Sequence, residues 1–175
     1  MTGTGAPWPV AGLDRIARLR ALAAGLPGSV LREQVLDAPF DDVWGFVGDI
    51  ERSVPAFDRN VARLAIDDRD GDRLRGRAWA PHVPVPFRYD MVLRPGWCWM
   101  TTRPTLHVVG MAAEPDGERT RYAHLEALVV AGPPPVRALA RPLLAAGRRL
   151  LARHVADDVA GVVRHTGGRA PWGAG

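Results

Sequence analysis

Residues 29–57, SVLREQVLDAPFDDVWGFVGDIERSVPAF, change period twice within one short stretch. From Ser29 to Leu36 the residues alternate and are β-prone, which predicts a first strand. Asp37-Ala38-Pro39 breaks it. Between Phe40 and Asp49 the apolar residues Val43, Trp44 and Val47 fall at helical spacing, and Asp41 and Asp42 favour the positive end of a helix dipole. A second short helix is expected near Ile50–Ser53, ending before Pro55 because proline removes a helix hydrogen bond.

Beyond this stretch the pattern turns to strands. Val61–Asp67, Arg73–Trp79, Phe87–Leu93, Trp97–Thr102, Leu106–Ala113 and Thr120–Val130 are the candidates. Asp67-Asp68-Arg69-Asp70-Gly71, Pro95-Gly96, Arg103-Pro104 and Pro115-Asp116-Gly117 punctuate them as turns. After Gly132 and three prolines, one long helix is expected from Val136 to about His165. Seven successive antiparallel strands with a single long helix at the end predict an α+β layer architecture rather than a parallel sheet. Before the strands, Leu13, Ile16, Leu19, Leu22 and Leu26 mark an amphipathic helix over 11–25, stopped by Gly25 and Pro27-Gly28. The expected division is a tail with an accessory helix over 1–28, one domain over 29–168, and a disordered tail over 169–175.

Composition narrows the function. The 175 residues suit one domain, and no apolar run approaches the roughly 20 residues that cross a bilayer. Arg15, Arg18 and Arg20 interrupt the apolar residues near the N-terminus, against a secretory signal. A cytoplasmic protein without stable membrane insertion is expected. Cys98 is the only cysteine, so neither an internal disulfide nor a cysteine zinc cluster is available. All 23 basic residues are arginine, dispersed among acids without interleaved aromatics, which argues against nucleic acid despite the formal charge of +4. The five histidines lack a His-Glu-x-x-His spacing, and neither a phosphate-binding glycine loop nor a serine elbow is present. No metal and no cofactor are expected on these grounds.

Order and residues together resemble the START-like (SRPBCC) superfamily, which includes polyketide cyclases and lipid-transfer domains. Val35-Leu36-Asp37-Ala38-Pro39-Phe40-Asp41-Asp42-Val43-Trp44 is similar to the family's opening segment. Asp49-Ile50-Glu51-Arg52 with Pro55 and Phe57 resembles the helix–helix stretch, where tryptophan is more usual than Phe57. Glu118 to His124 is similar to the last strand, and Asp158-Val159 with Val162 to the end of the long helix. The resemblance spans roughly 29–165 and implies the helix-grip fold: a curved sheet wrapped on a long C-terminal helix, with a cavity between them.

Such a cavity typically measures about 300–1,000 Å³. Its expected ligand-binding residues are Trp79, Phe87, Tyr89, Met91, Trp97, Trp99, Tyr122, His124, Glu126, Leu143, Leu150 and His154. Trp97 and Trp99 share one strand face, as do Phe87, Tyr89 and Met91, with core filling as their alternative role. On the last strand Tyr122, His124, Glu126 and Leu128 alternate against Arg121, Ala123, Leu125 and Ala127, and the family pattern favours the Tyr122 face. On the long helix Leu139, Leu143, Leu144, Leu150, Leu151, Val155 and Val162 form an apolar arc that also contains His154 and Asp158, four residues apart. Arg52 or Arg59 is a second possible partner for Asp158.

The leading expectation is binding of a hydrophobic small molecule such as a lipid, an isoprenoid or a polyketide-like compound, by a monomer or homodimer. The alternative is a polyketide cyclase/dehydratase-type enzyme. It would use His124 or His154 as base, Tyr122 or Tyr89 as acid, and Arg77 or Arg88 as the cation for an enolate oxygen.

Overall fold

A computed structural model of the chain describes residues 12–104, 106–130 and 132–167. The elements run α1 (Arg15–Gly25), β1 (Val30–Leu36), α2 (Phe40–Val47), α3 (Ile50–Phe57), β2 (Arg63–Asp70), β3 (Arg73–Trp79), β4 (Phe87–Arg94), β5 (Trp97–Arg103), β6 (His107–Asp116), β7 (Arg119–Leu128) and α4 (Pro134–Thr166). All seven strands join one antiparallel sheet in the order β1-β7-β6-β5-β4-β3-β2. The α+β order expected from the sequence is the order found. Among the described residues no helix is long and apolar enough to cross a membrane.

Pro55 does not end the second short helix, which runs on to Phe57. Ile50, Ser53, Val54 and Phe57 are buried there, and their packing outweighs the one helix bond proline removes. Likewise Pro115 lies within β6, opposite Thr120, and the turn falls one step later.

The inner face of the sheet meets α2, α3 and the C-terminal half of α4. Leu64, Leu74, Ala78, Met91, Cys98, Met100, Val109, Met111, Ala113 and Tyr122 pack there against Val43, Val47, Val54, Phe57, Val159 and Val162. Gly161 lets the two helices touch: a Cβ at that position would stand 2.7 Å from the Phe57 Cβ and 2.9 Å from its Cα.

The outer face carries α1. Its Ile16 and Leu19 are fully buried with Val108, Ala112, Ala123, Leu125 and Ala127, each large side chain contributing about 1.5–3 kcal/mol. Gly110 on β6 makes room, since a Cβ there would stand 2.6 Å from Leu19 Cδ1. The start of α1 is held twice. Asp14 accepts from the Ala17 N–H, and Glu114 of β6 accepts from the N–H groups of Arg15 and Ile16.

Leu139 and Leu150 do not join the expected arc; they are 84% and 70% exposed. Helix α4 has 33 residues, so it spans roughly 50 Å against about 33 Å for a ten-residue strand, and one sheet cannot bury its whole length. The side chain of Leu143 lies outside the described residues, as do residues 1–11 and 168–175. β2, an edge strand, shifts register between Ile66 and Asp68 and is exposed from Asp67 to Asp70.

Candidate functional site

Alternation on β7 sends Tyr122, His124 and Glu126 to the inner face, where all three are buried. Helix α4 faces them with His154 and Asp158, one turn apart. His124 Nε2 lies 3.3 Å from Glu126 Oε1 and 3.9 Å from Asp158 Oδ2. His154 Nε2 lies 3.4 Å from each of the same two oxygens. One strand and one helix therefore bring two imidazoles and two carboxyls together between the sheet and α4.

Further groups hold this cluster from outside. The Tyr122 hydroxyl is 3.1 Å from His124 Nδ1, and the Phe57 ring stands edge-on to the same imidazole. The Asn60 amide is 3.3 Å from His154 Nδ1. His107, at the start of β6, places Nε2 3.3 Å from Glu126 Oε2. Asp58, the C-cap of α3, places Oδ1 3.7 Å from His154 Nε2.

The carboxyls differ in their electrostatics. Burial drives Asp158 upward, and the nearby Asp58 and Glu126 carboxyls add to it, so its pKa is pushed up to about 10. Asp158 Oδ2 is also buried without a hydrogen-bond partner. Burial pushes Glu126 the same way, but hydrogen bonds from His107 and His124 outweigh it and hold the carboxyl below its ordinary range. Asp58 is raised, chiefly by burial. Burial likewise raises Tyr122 well above its ordinary value and Tyr89 to about 12, so both phenols keep their protons at neutral pH.

Above the cluster is a cavity of about 30 Å³, lined among others by Val54, Phe57, Leu64, Tyr89, Met100 and Val109. That is room for a few waters at most. Among the described residues the space at this site falls far short of the expected several hundred Å³, because Phe57, Leu64, Met100 and Val109 fill it. Asp58 and His107 line it with side chains 14% and 25% exposed, and His154, 21% exposed, stands beside Asp58 at 3.7 Å. Two larger hollows of about 460 and 320 Å³ lie between charged side chains on the sheet's other surface. Their walls are already ion-paired, Arg77 with Asp67, Arg103 with Asp90 and Arg75 with Asp68, and they are poor seats for an apolar ligand.

No family model and no curated protein matches the chain. Solved structures do. The protein TTHA0849 from Thermus thermophilus superposes with a TM-score of 0.57 at 20% identity, over 79% of this chain and 96% of its own. The Zhui aromatase/cyclase from Streptomyces sp. R1128 gives 0.58 at 16% identity, over 79% and 93%. The chain shares the helix-grip fold with these structures. The di-domain aromatase/cyclase StfQ of steffimycin biosynthesis also matches, with a TM-score of 0.58 at 16% identity, and the chain spans 52% of its length.

Within the helix grip, several expected site residues sit elsewhere. Trp97 and Trp99 lie on the outer face, stacked at 6.4 Å and packed with α1, so neither reaches the cavity. The cause is α1 itself, which makes both faces of β5–β7 apolar and leaves alternation unable to choose a side. Trp79 also faces outward, under the guanidinium groups of Arg63 and Arg77. Arg77 and Arg88 share that face, so neither is placed to hold an enolate. Phe87 is 49% exposed at the start of β4, Met91 packs into the core, and Tyr89 alone of the three lines the cavity. Leu150 points to solvent. Arg59 pairs with Asp157 rather than Asp158. The cluster also gains Asp58, Asn60 and His107, which sequence reading had not singled out. Only His107 left a signal, two alternations upstream of Met111 on the inward face of β6.

Proposed function

We propose that the protein takes a carbonyl-bearing hydrophobic small molecule at the cavity mouth and moves protons on it, as a cyclase or dehydratase. The observation that carries this reading is the position of His154. Its side chain is 21% exposed and its Nε2 lies within 3.4 Å of two carboxyl oxygens, whereas His124, which lines the cavity from within, is only 1% exposed between Tyr122 and Glu126. In this scheme the His154 imidazole accepts a proton from the carbon beside a carbonyl, and the Glu126 carboxylate stabilises the imidazolium. The enolate carbon closes the ring on a second carbonyl carbon, whose C=O π bond opens to an alkoxide that takes the proton back from the imidazolium. The imidazole then removes a second proton from the same carbon and returns it to the new hydroxyl, which leaves as water while the C=C bond forms. His124, Glu126 and Tyr122 act as positioning residues, and Tyr89 forms part of the apolar wall. The aromatase/cyclase activity named for Zhui and StfQ supports the choice of chemistry.

The test is incubation of chelator-treated protein with a linear poly-β-ketone, followed by mass spectrometry. The expected result is a cyclised product lighter by one water. His154→Gln should abolish turnover while leaving affinity within about tenfold, roughly 1.4 kcal/mol. A polyketone that binds and returns unchanged, or equal turnover by the variant, would overturn the proposal.

A further inference from the structure

We infer that His124, Glu126, His154 and Asp158 form a binding site for a zinc-class divalent metal ion, bridging strand β7 and helix α4. Geometry comes first. Four donor–donor separations, His124 Nε2 and His154 Nε2 to Glu126 Oε1 and Asp158 Oδ2, run from 3.3 to 3.9 Å. A tetrahedral ion with metal–ligand bonds of about 2.0–2.2 Å holds its ligands roughly 3.3–3.6 Å apart. The donors fall into two triads that share Asp158, His124–Glu126–Asp158 and Asp58–His154–Asp158, with donor atoms within 4.8 Å of one another inside each; Asp58 Oδ1 lies 3.7 Å from His154 Nε2.

A second observation is independent of those distances. Asp158 Oδ2 is buried and aimed into the cluster with no hydrogen-bond partner, in a residue only 1% exposed. An orphaned carboxyl oxygen is costly unless a proton or a cation answers it.

The surrounding shell completes the case. A metal-bound histidine usually donates its other ring N–H to an acceptor that fixes the tautomer. Tyr122 Oη stands at His124 Nδ1, where it can accept the ring N–H; the Asn60 amide nitrogen lies 3.3 Å from His154 Nδ1, and exchanging its nitrogen and oxygen by a flip would give that ring N–H its acceptor. His107 holds the second oxygen of Glu126. Two imidazoles with two carboxylates suit zinc rather than magnesium or calcium, which prefer all-oxygen shells.

The site is built from the residues of the proposed proton chemistry, and the two uses exclude one another. A bound ion takes the lone pairs that this chemistry uses, so the loaded centre is a clamp between sheet and helix, and the metal-free centre is the acid–base form.

The test is equilibrium dialysis of the chelator-treated protein against zinc(II), with cobalt(II) as a spectroscopic probe and magnesium(II) as the negative control. One zinc per chain is expected, together with the intense visible bands of tetrahedral cobalt and no magnesium uptake. Tyr122→Phe should weaken binding about 10–100-fold, and His154→Gln or Asp158→Asn by more than that. His82→Gln, outside the cluster, should leave it unchanged, with circular dichroism checking the fold of each variant. Absence of stoichiometric zinc, absence of the cobalt bands, or unchanged affinity in His154→Gln would overturn the inference. Because dialysis uses no substrate and the polyketone assay uses metal-free protein, either proposal can fail without the other.

Discussion

Replacing Gly161 by alanine should destabilise the protein, although the same change elsewhere in α4 should stabilise it. In a helix interior, glycine to alanine ordinarily gains about 1 kcal/mol. At Gly161 the new methyl would stand 2.7, 2.9 and 3.0 Å from the Cβ, Cα and carbonyl oxygen of Phe57. Carbon atoms pack comfortably at about 3.5–4.0 Å, so α3 and α4 must part by most of an ångström. Two of the three atoms are backbone, so a rotamer change gives no relief. Overpacking of this kind costs about 1–3 kcal/mol, which leaves a net loss of up to about 2 kcal/mol after the propensity gain. At about 2–4 °C per kcal/mol for a chain of this size, Gly161→Ala should melt as much as about 8 °C lower. Gly147 has nothing within 4 Å of its would-be Cβ, so Gly147→Ala should melt about 2–4 °C higher. Calorimetric melts of both variants decide the matter. A Gly161→Ala protein as stable as Gly147→Ala would refute the claimed contact between the helices, and with it the placement of Asp58 beside His154.

Two further outcomes are expected. Glu114→Ala removes the acceptor for the first N–H groups of α1, so amide exchange across Arg15–Gly25 should accelerate while strands β3–β5 keep their protection, at a cost of about 0.5–2 kcal/mol. The Cys98 thiol is fully buried, and that burial pushes its pKa up to about 12. A disulfide reagent at pH 8 should therefore leave it unmodified in the native protein and label it at once in denaturant.

The strand and helix order was legible because each boundary carries a local signal: Asp37-Ala38-Pro39 after β1, Gly96 before β5, Gly117 before β7. The meeting of His154 with Asp158 was also legible, since four residues on a helix fix their spacing. Which way β5 faces was not. Cys98 and Met100 are as apolar as Trp97 and Trp99, and only the docking of α1 assigns the tryptophans outward. Asp58 and Asn60 carried no signal, because a helix cap and a loop residue reach the cluster only through the packing of Phe57 against α4. The cavity volume was illegible for a similar reason. It depends on how far Phe57, Leu64 and Met100 reach into the sheet, which alternation does not tell.

The register shift in β2 bears on behaviour in concentrated solution. A regular, unpaired strand edge is a template on which another chain can lay a strand and start aggregation. Here the edge ladder is broken between Ile66 and Asp68, and the exposed stretch beyond it carries Asp67, Asp68, Arg69 and Asp70. An incoming strand would lose its hydrogen-bond register midway and bring its backbone against three carboxylates. At the other end of the sheet α4 packs against β1, so neither edge offers a clean seam for growth from one molecule to the next.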